Sequence, residues 1–241
     1  MKLWGITHRG AVRQQNQDAY AVRELEDGRG LAVVCDGMGG ARAGNVASSM
    51  AVELFMRKLE EQGQPGDDPQ KWLKTAAAHA NDGVFQKAVE DPDCTGMGTT
   101  LVAALAGNGK AVLLNEGDSR AYHITRDGIT RITKDHSLVG SMVEQGNMTE
   151  QEARRHPNRN LITRALGPEE NVLDDEFSCK WKQGDYLLLC TDGLVNTVSD
   201  QELLFEIVHT EDPEHCLRRL VDISVSRGAP DNITAILMQN I

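Results

Sequence analysis

At 241 residues, 40% apolar and 25% charged, the chain has the length and composition of one large globular domain rather than a disordered segment. Its formal net charge of −11, with no offsetting block of lysine or arginine, excludes duplex nucleic acid as a partner. No apolar stretch reaches the roughly 18 residues of a membrane span and residues 1–10 hold no apolar signal segment, so a cytoplasmic monomer with no membrane partner is expected.

In chain order, the hydropathy pattern predicts strands over 2–8, 18–25 and 31–35. A helix follows, with Val46, Met50, Leu54 and Leu59 along one face and Ala47, Ala51 and Phe55 beside them, stopped by the Gly- and Pro-containing run 62–66. A second helix starts near Asp68-Pro69 and turns Trp72, Leu73, Ala76, Ala80 and Phe85 inward, with Gly83 weakening its middle. Strands return at 99–105 and 110–115, then as a hairpin about Asp127-Gly128. Residues 135–166 are mixed and polar, with one short helix marked by the capping box of Thr149 and Glu152. A strand over 185–190 leads to two helices, one from Ser199 with Glu202 as its box partner and one over 212–227 closed by Gly228. The last strand spans Ile233–Gln239.

Strands and helices thus come in blocks rather than in strict alternation, which predicts an α+β fold with mainly antiparallel sheets, in a single domain over 1–241. The five cysteines are odd in number, lack C-x-x-C spacing and lie mostly in or beside apolar segments, as reduced thiols do.

Two apolar runs, Leu31-Ala32-Val33-Val34-Cys35 and Tyr186-Leu187-Leu188-Leu189-Cys190, each end almost at once in an Asp-Gly pair, Asp36-Gly37 and Asp192-Gly193. A buried strand can fix a carboxylate for a hard cation, and a glycine after it lets backbone approach the ion. Asp-Gly is also a common hairpin turn, the reading that fits Asp27-Gly28 and Asp127-Gly128, which stand between alternating stretches. Neither Asp36 nor Asp192 is followed by such a strand. Asp118, after the run 111–114, and Asp231, before Ile233, stand at comparable points, so four strand-end carboxylates could meet in one cleft.

The glycines of Val33-Val34-Cys35-Asp36-Gly37-Met38-Gly39-Gly40 fit neither nucleotide loop: Arg42 stands where a dinucleotide fingerprint needs glycine, and no Gly-Lys-Ser/Thr ending follows. What the ordered motifs do resemble is the protein phosphatase 2C family of metal-dependent serine/threonine phosphatases, in its bacterial form. The resemblance begins with Arg13 and Asn16-Gln17-Asp18-Ala19 and continues through Asp36-Gly37-Met38-Gly39-Gly40, Met97-Gly98-Thr99-Thr100 and Gly117-Asp118-Ser119-Arg120. Asp135-His136-Ser137, Ile162-Thr163-Arg164, Thr191-Asp192-Gly193 and Asp231-Asn232-Ile233-Thr234 complete it, nearly end to end.

The resemblance implies a four-layer αββα sandwich, two central antiparallel sheets flanked by helices, with a cleft at one edge. It implies two Mn²⁺ or Mg²⁺ ions held by Asp36, the Gly37 carbonyl, Asp192 and Asp231, and a water that they activate to attack phosphorus in line. Arg13 would bind phosphate through its planar fork. Asp18 would accept from metal-bound water or simply begin a strand, and Asp118 would either join Asp192 at a third, weaker ion or tie Ser119 or Arg120 into its loop. Arg120 is expected as a pairing partner. The implied partners are phosphorylated proteins and an opposing eukaryotic-like Ser/Thr kinase, and residues 140–160 resemble the family's variable flap. Cysteine catalysis is not expected: six residues separate Cys35 from Arg42, one more than a thiolate–arginine loop takes, and Asp36 would raise the thiol's pKa.

Two departures stand out. Met38 occupies the place of a histidine that many animal members carry after the first Asp-Gly, and Glu116 stands before Gly-Asp-Ser-Arg where an apolar residue is expected. His136 and His156 take no assigned role. A hydrolase of small phosphate esters, or a phosphopeptide-binding homologue without turnover, remains the alternative.

Overall fold

The computed structural model describes residues 1–241 apart from the side chains of Ala41 and Arg42, so the arginine that a Cys35 nucleophile would need lies outside the described residues. The elements begin with β1 (Lys2–His8), β2 (Asp18–Glu24), β3 (Gly30–Met38), α1 (Gly40–Gln62), α2 (Pro69–Glu90), β4 (Gly98–Thr99), β5 (Leu101–Gly107) and β6 (Lys110–Glu116). There follow β7 (Arg120–Thr125), β8 (Gly128–Arg131), α3 (Leu138–Glu144), α4 (Glu150–Ala153) and β9 (Asp175–Lys180). The chain closes with β10 (Tyr186–Cys190), α5 (Asp192–Val195), α6 (Asp200–Val208), α7 (Pro213–Ser226) and β11 (Ile233–Gln239).

Among the described residues the strands form two antiparallel sheets, one ordered β1-β11-β10-β7-β8 and the other β2-β3-β5-β6-β9 with β4 on β3. Successive side chains of a strand point to opposite faces, and here both faces are buried. Ala32 and Val34 of β3 meet Leu187, Leu189 and Ile236 between the sheets. The alternate residues Leu31, Val33 and Cys35 pack under α1 and α2 with Phe55 and Leu73. On the far side Leu188, Cys190 and Leu237 lie under α6 and α7 with Leu203, Leu217 and Leu220. The layers are therefore helix, sheet, sheet, helix, as the block pattern and the family resemblance imply. Among the described residues no helix is long and apolar enough to cross a membrane.

Helix starts follow their caps. Asp68 accepts the Lys71 N–H at the head of α2, with Pro69 in the first turn, and Asp212 accepts from Glu214 and His215 at the head of α7. Both predicted capping boxes form, at Thr149 with Glu152 and at Ser199 with Glu202. Three local expectations fail. Val46 is exposed, because the small Ala43, Ala47 and Ala51 let α1 lie close on the sheet. Val84 rather than Phe85 fills the core side of α2. Strand β9 was not expected, since its sequence Asp-Glu-Phe-Ser-Cys-Lys is polar, but it pairs at the sheet edge with alternate residues half-buried. The cysteines are unpaired, and Cys35, Cys94, Cys190 and Cys216 are buried.

Candidate active site

Antiparallel register, not chain proximity, assembles the site. Asp18 at the start of β2 stands directly opposite Asp36 near the end of β3. The backbone of Asp36 is fixed on both sides: its N–H donates to the Thr100 hydroxyl at 2.9 Å, and its carbonyl accepts from the Thr99 hydroxyl at 2.8 Å. Its carboxylate takes part in no hydrogen bond among the described residues, which leaves both oxygens available. On the other sheet, the Thr191 and Thr234 backbones join the end of β10 to the start of β11, which places Asp192 beside Asp231. The Asn196 amide donates to Asp192 Oδ2 at 2.9 Å, while Asp192 Oδ1 is buried without a partner.

The two glycines after these aspartates are there for space. A Cβ at Gly37 would run into the Gly44 carbonyl oxygen, and one at Gly193 into the Asn232 carbonyl oxygen. Asp118 lies in the β6–β7 loop, after Gly117 at φ 108 and before Ser119, whose hydroxyl pairs with that of Thr100 at 2.7 Å.

Asn232 pins the loop that carries Arg13. Its amide donates to the carbonyls of Arg9 at 2.8 Å and Gln15 at 2.9 Å, and its side-chain oxygen accepts the Gln17 N–H at 2.8 Å. Arg13 thereby reaches across to Asp231, Nη2 donating to Oδ2 at 2.8 Å. Arg13, Asp36, Gly37, Asp118, Asp192 and Asp231 all line one cavity of about 380 Å³. Asp18 lies behind this wall, where its Oδ2 accepts from the hydroxyls of Thr234 at 2.7 Å and Thr191 at 3.0 Å.

The carboxylates repel one another in a poorly solvated place. Burial, then Asp18, Asp192, Asp118 and Asp231, hold the Asp36 carboxyl well above the ordinary carboxylate range. Burial and then Asp192 do the same to Asp118, and burial with Asp231 pushes Asp192 up to about 6. Asp18 is pushed up chiefly by burial, against its two hydroxyl bonds. Arg13 is held further protonated by its bond to Asp231. A cation would relieve this field, and the donors are all oxygens, with one carboxylate oxygen buried and unpartnered; the set suits a hard divalent ion. Even so, among the described residues no group of three or more His, Cys, Asp or Glu side chains stands close enough to hold an ion. The cleft offers the ligands without having drawn them together.

A second cavity of about 230 Å³ adjoins the first through Asp118 and Asp192 and runs beneath α3 and α4, the flap segment. Arg120 is a pairing residue there, its Nη2 donating to Asp135 Oδ2 at 2.6 Å and its Nε to Oδ1 at 3.0 Å. His136 is structural: its Nδ1 accepts the Gly117 N–H at 3.0 Å, and burial lowers its pKa. His156 does not line the cleft. Sequence reading missed Thr191, Thr234 and Asn232 as supports, although all three lie inside or next to the two aspartate motifs that end and begin β10 and β11.

The family description of protein phosphatase 2C matches residues 6–223. The chain belongs to the protein phosphatase 2C family. It is 37% identical to the serine/threonine phosphatase stp of Listeria innocua, over 97% of this chain and 93% of the relative. It superimposes on the crystal structure of a serine/threonine phosphatase from Staphylococcus aureus with a TM-score of 0.93 and 35% identity, covering 98% of this chain and 93% of the other. Another structural neighbour is the catalytic domain of the serine/threonine protein phosphatase PstP in complex with two manganese ions, with a TM-score of 0.86 and 33% identity, covering 98% of this chain and 96% of that one.

Proposed function

We propose that this chain is a protein serine/threonine phosphatase that hydrolyses phosphoserine and phosphothreonine with the help of two Mn²⁺ or Mg²⁺ ions. The observation that carries the proposal is the convergence of Asp36, Asp118, Asp192 and Asp231 on one cleft with Arg13 at its mouth. Asp36, Asp192, Asp231 and the Gly37 carbonyl would hold the core ions, and Asp118 with Asp192 a third. Such ions, when bound, supply an activated water and offset charge on the phosphoryl oxygens.

The chain's own residues do the rest. Arg13, about half exposed, is free to exchange the Asp231 carboxylate for two phosphate oxygens, since its fork fits either partner. Asn196 occupies Asp192 Oδ2, which leaves the buried Oδ1 without a partner among the described residues and available as a ligand. Asp18, locked by two threonine hydroxyls, stands opposite Asp36 in the strand pair, and its buried Oδ1 is left to accept a further hydrogen bond. The cysteines are no rivals as nucleophiles: burial pushes the Cys35 and Cys190 thiols up, away from the reactive thiolate. The physiological counterpart we propose is a eukaryotic-like Ser/Thr kinase.

Phosphate release from a phosphothreonine peptide, from p-nitrophenyl phosphate and from phosphorylated metabolites, measured side by side, tests this reading. Turnover of the peptide at the highest kcat/KM supports it. Preference for the metabolites, or peptide binding without turnover, contradicts it.

A further inference from the structure

Glu116, the last residue of β6, is only 2% exposed, and its Oε2 is buried with no partner among the described residues. It points to the same face of the strand as Val112 and Leu114, toward the α1–α2 layer rather than the catalytic cleft. The charges around it do not balance. Asp174 also has two buried carboxylate oxygens without partners, and Asp175 lies nearby. Arg164 acts on the group and lines the same cavity, and its Nη1 is given to the Leu173 carbonyl at 2.8 Å and Asp175 Oδ1 at 3.1 Å. Lys74 is given to Glu176 at 2.7 Å.

Glu116 lines a cavity of about 250 Å³ whose other walls are the apolar Met38, Ile162, Ala165, Pro168 and Leu173 and the polar Thr163, Arg164, Glu169 and Asn171, so that two carboxylates face one guanidinium there. Met38 and Ile162 also line the catalytic cleft, so the two spaces are neighbours across those side chains. A hard cation takes about six or more oxygens, and the carboxylates on this wall are Glu116 and Glu169. A lysine or arginine side chain fits better, because its methylene stem suits apolar walls while its charged end seeks a carboxylate.

We infer that this cavity is a substrate subsite, in which Glu116 receives a lysine or arginine side chain that lies close in sequence to the phosphorylated residue. The inference rests on the protein-phosphatase reading above and adds to it a preference that no metal ligand could supply. Glu116 is here a specificity residue; it touches the substrate's flank and not the reacting phosphate.

The test is a set of phosphothreonine peptides that differ at one position, from three residues before the phosphate to three after, carrying lysine, norleucine or glutamate there. For the wild type we expect lysine to raise kcat/KM over norleucine by about tenfold at one position, the scale of one hydrogen bond to a charged group, and glutamate to lower it. Glu116→Gln should bring the lysine and norleucine peptides to within about twofold, and Glu116→Leu should do the same, so a folding failure in one variant leaves the other to decide. Equal use of lysine and norleucine by the wild type at every position, or a lysine preference that survives both substitutions, overturns the subsite. Failure to cleave any peptide overturns the phosphatase reading instead.

Discussion

Arg13 and Asp231, 218 positions apart in the chain, meet at 2.8 Å across the mouth of the catalytic cleft. The pair joins the two groups that a phosphate and a cation would each claim. With Arg13 on Asp231, one of the carboxylates is neutralised and the positive fork is held within reach of the cleft, while Asp36 and Asp192 have no cationic partner among the described residues. On the proposed reading, loading the site would pull the two apart, and the pair would exchange for metal on one side and phosphate on the other.

Arg13→Ala is expected to raise KM for a phosphopeptide by about tenfold while kcat changes by less than about threefold, because a phosphate grip acts on ground and transition states alike. Steady-state kinetics over a wide peptide range measures both. A kcat/KM within about twofold of the wild type contradicts a phosphate role.

Asp36→Asn and Asp192→Ala are expected to lower kcat on the order of a hundredfold or more, the scale on which an aligned electrostatic group acts in a transition state. Circular dichroism should show the fold intact, since these side chains lie at strand ends and fill no core. Near-normal kcat in either variant would remove that aspartate from the machinery.

In metal-free protein, Asp36→Asn is expected to raise the thermal midpoint by about 2–4 °C, the shift of about 1 kcal/mol in a chain of this size. The carboxylate it replaces is repelled by four others and has no cationic partner among the described residues. Asp231→Asn should gain less, because it also loses the Arg13 bond. Both should reduce the stabilisation by Mn²⁺, which for the wild type is about 2.7 kcal/mol at a hundredfold excess over Kd. Differential scanning calorimetry with and without metal checks both signs.

The pH dependence follows from the same crowding. Asp192 is raised from 3.8 to about 6, and Asp18 from 3.8 to about 7. A carboxyl with a higher pKa folded than unfolded binds more protons in the native state, so its contribution is complete below the unfolded value and fades as pH rises through the folded one. Metal-free protein should therefore melt higher at about pH 5.5 than at about pH 7.5. Saturating Mn²⁺ should reverse the order, because protons and metal compete for the same oxygens. A metal-free midpoint that climbs steadily with pH would contradict the repulsion.

Much of this site could be read from sequence because its carboxylates stand where apolar runs stop: Asp36 near the end of β3, Asp192 after β10, Asp231 before β11. What could not be read there depends on register and on side-chain reach. That Asp18 faces Asp36 depends on how β2 slides on β3, and a shift of one residue would turn the two carboxylates to opposite faces. Strand β9 was missed because its sequence is polar and it pairs on one side only, with β6, and α3 because it is just seven residues long and is interrupted by Gly140. The Arg13–Asp231 contact depends on Asn232 pinning residues 9–17 to the end of the last strand, which no local pattern announces.

The most direct measurement is phosphate release from a phosphothreonine peptide by chelator-stripped protein, before and after Mn²⁺ is restored, with Asp192→Ala in parallel. Negligible release without metal, recovery on addition, and no recovery in the variant are the expected results. Full turnover by the stripped wild type, or wild-type recovery in Asp192→Ala, would contradict a metal-dependent phosphatase built on these aspartates.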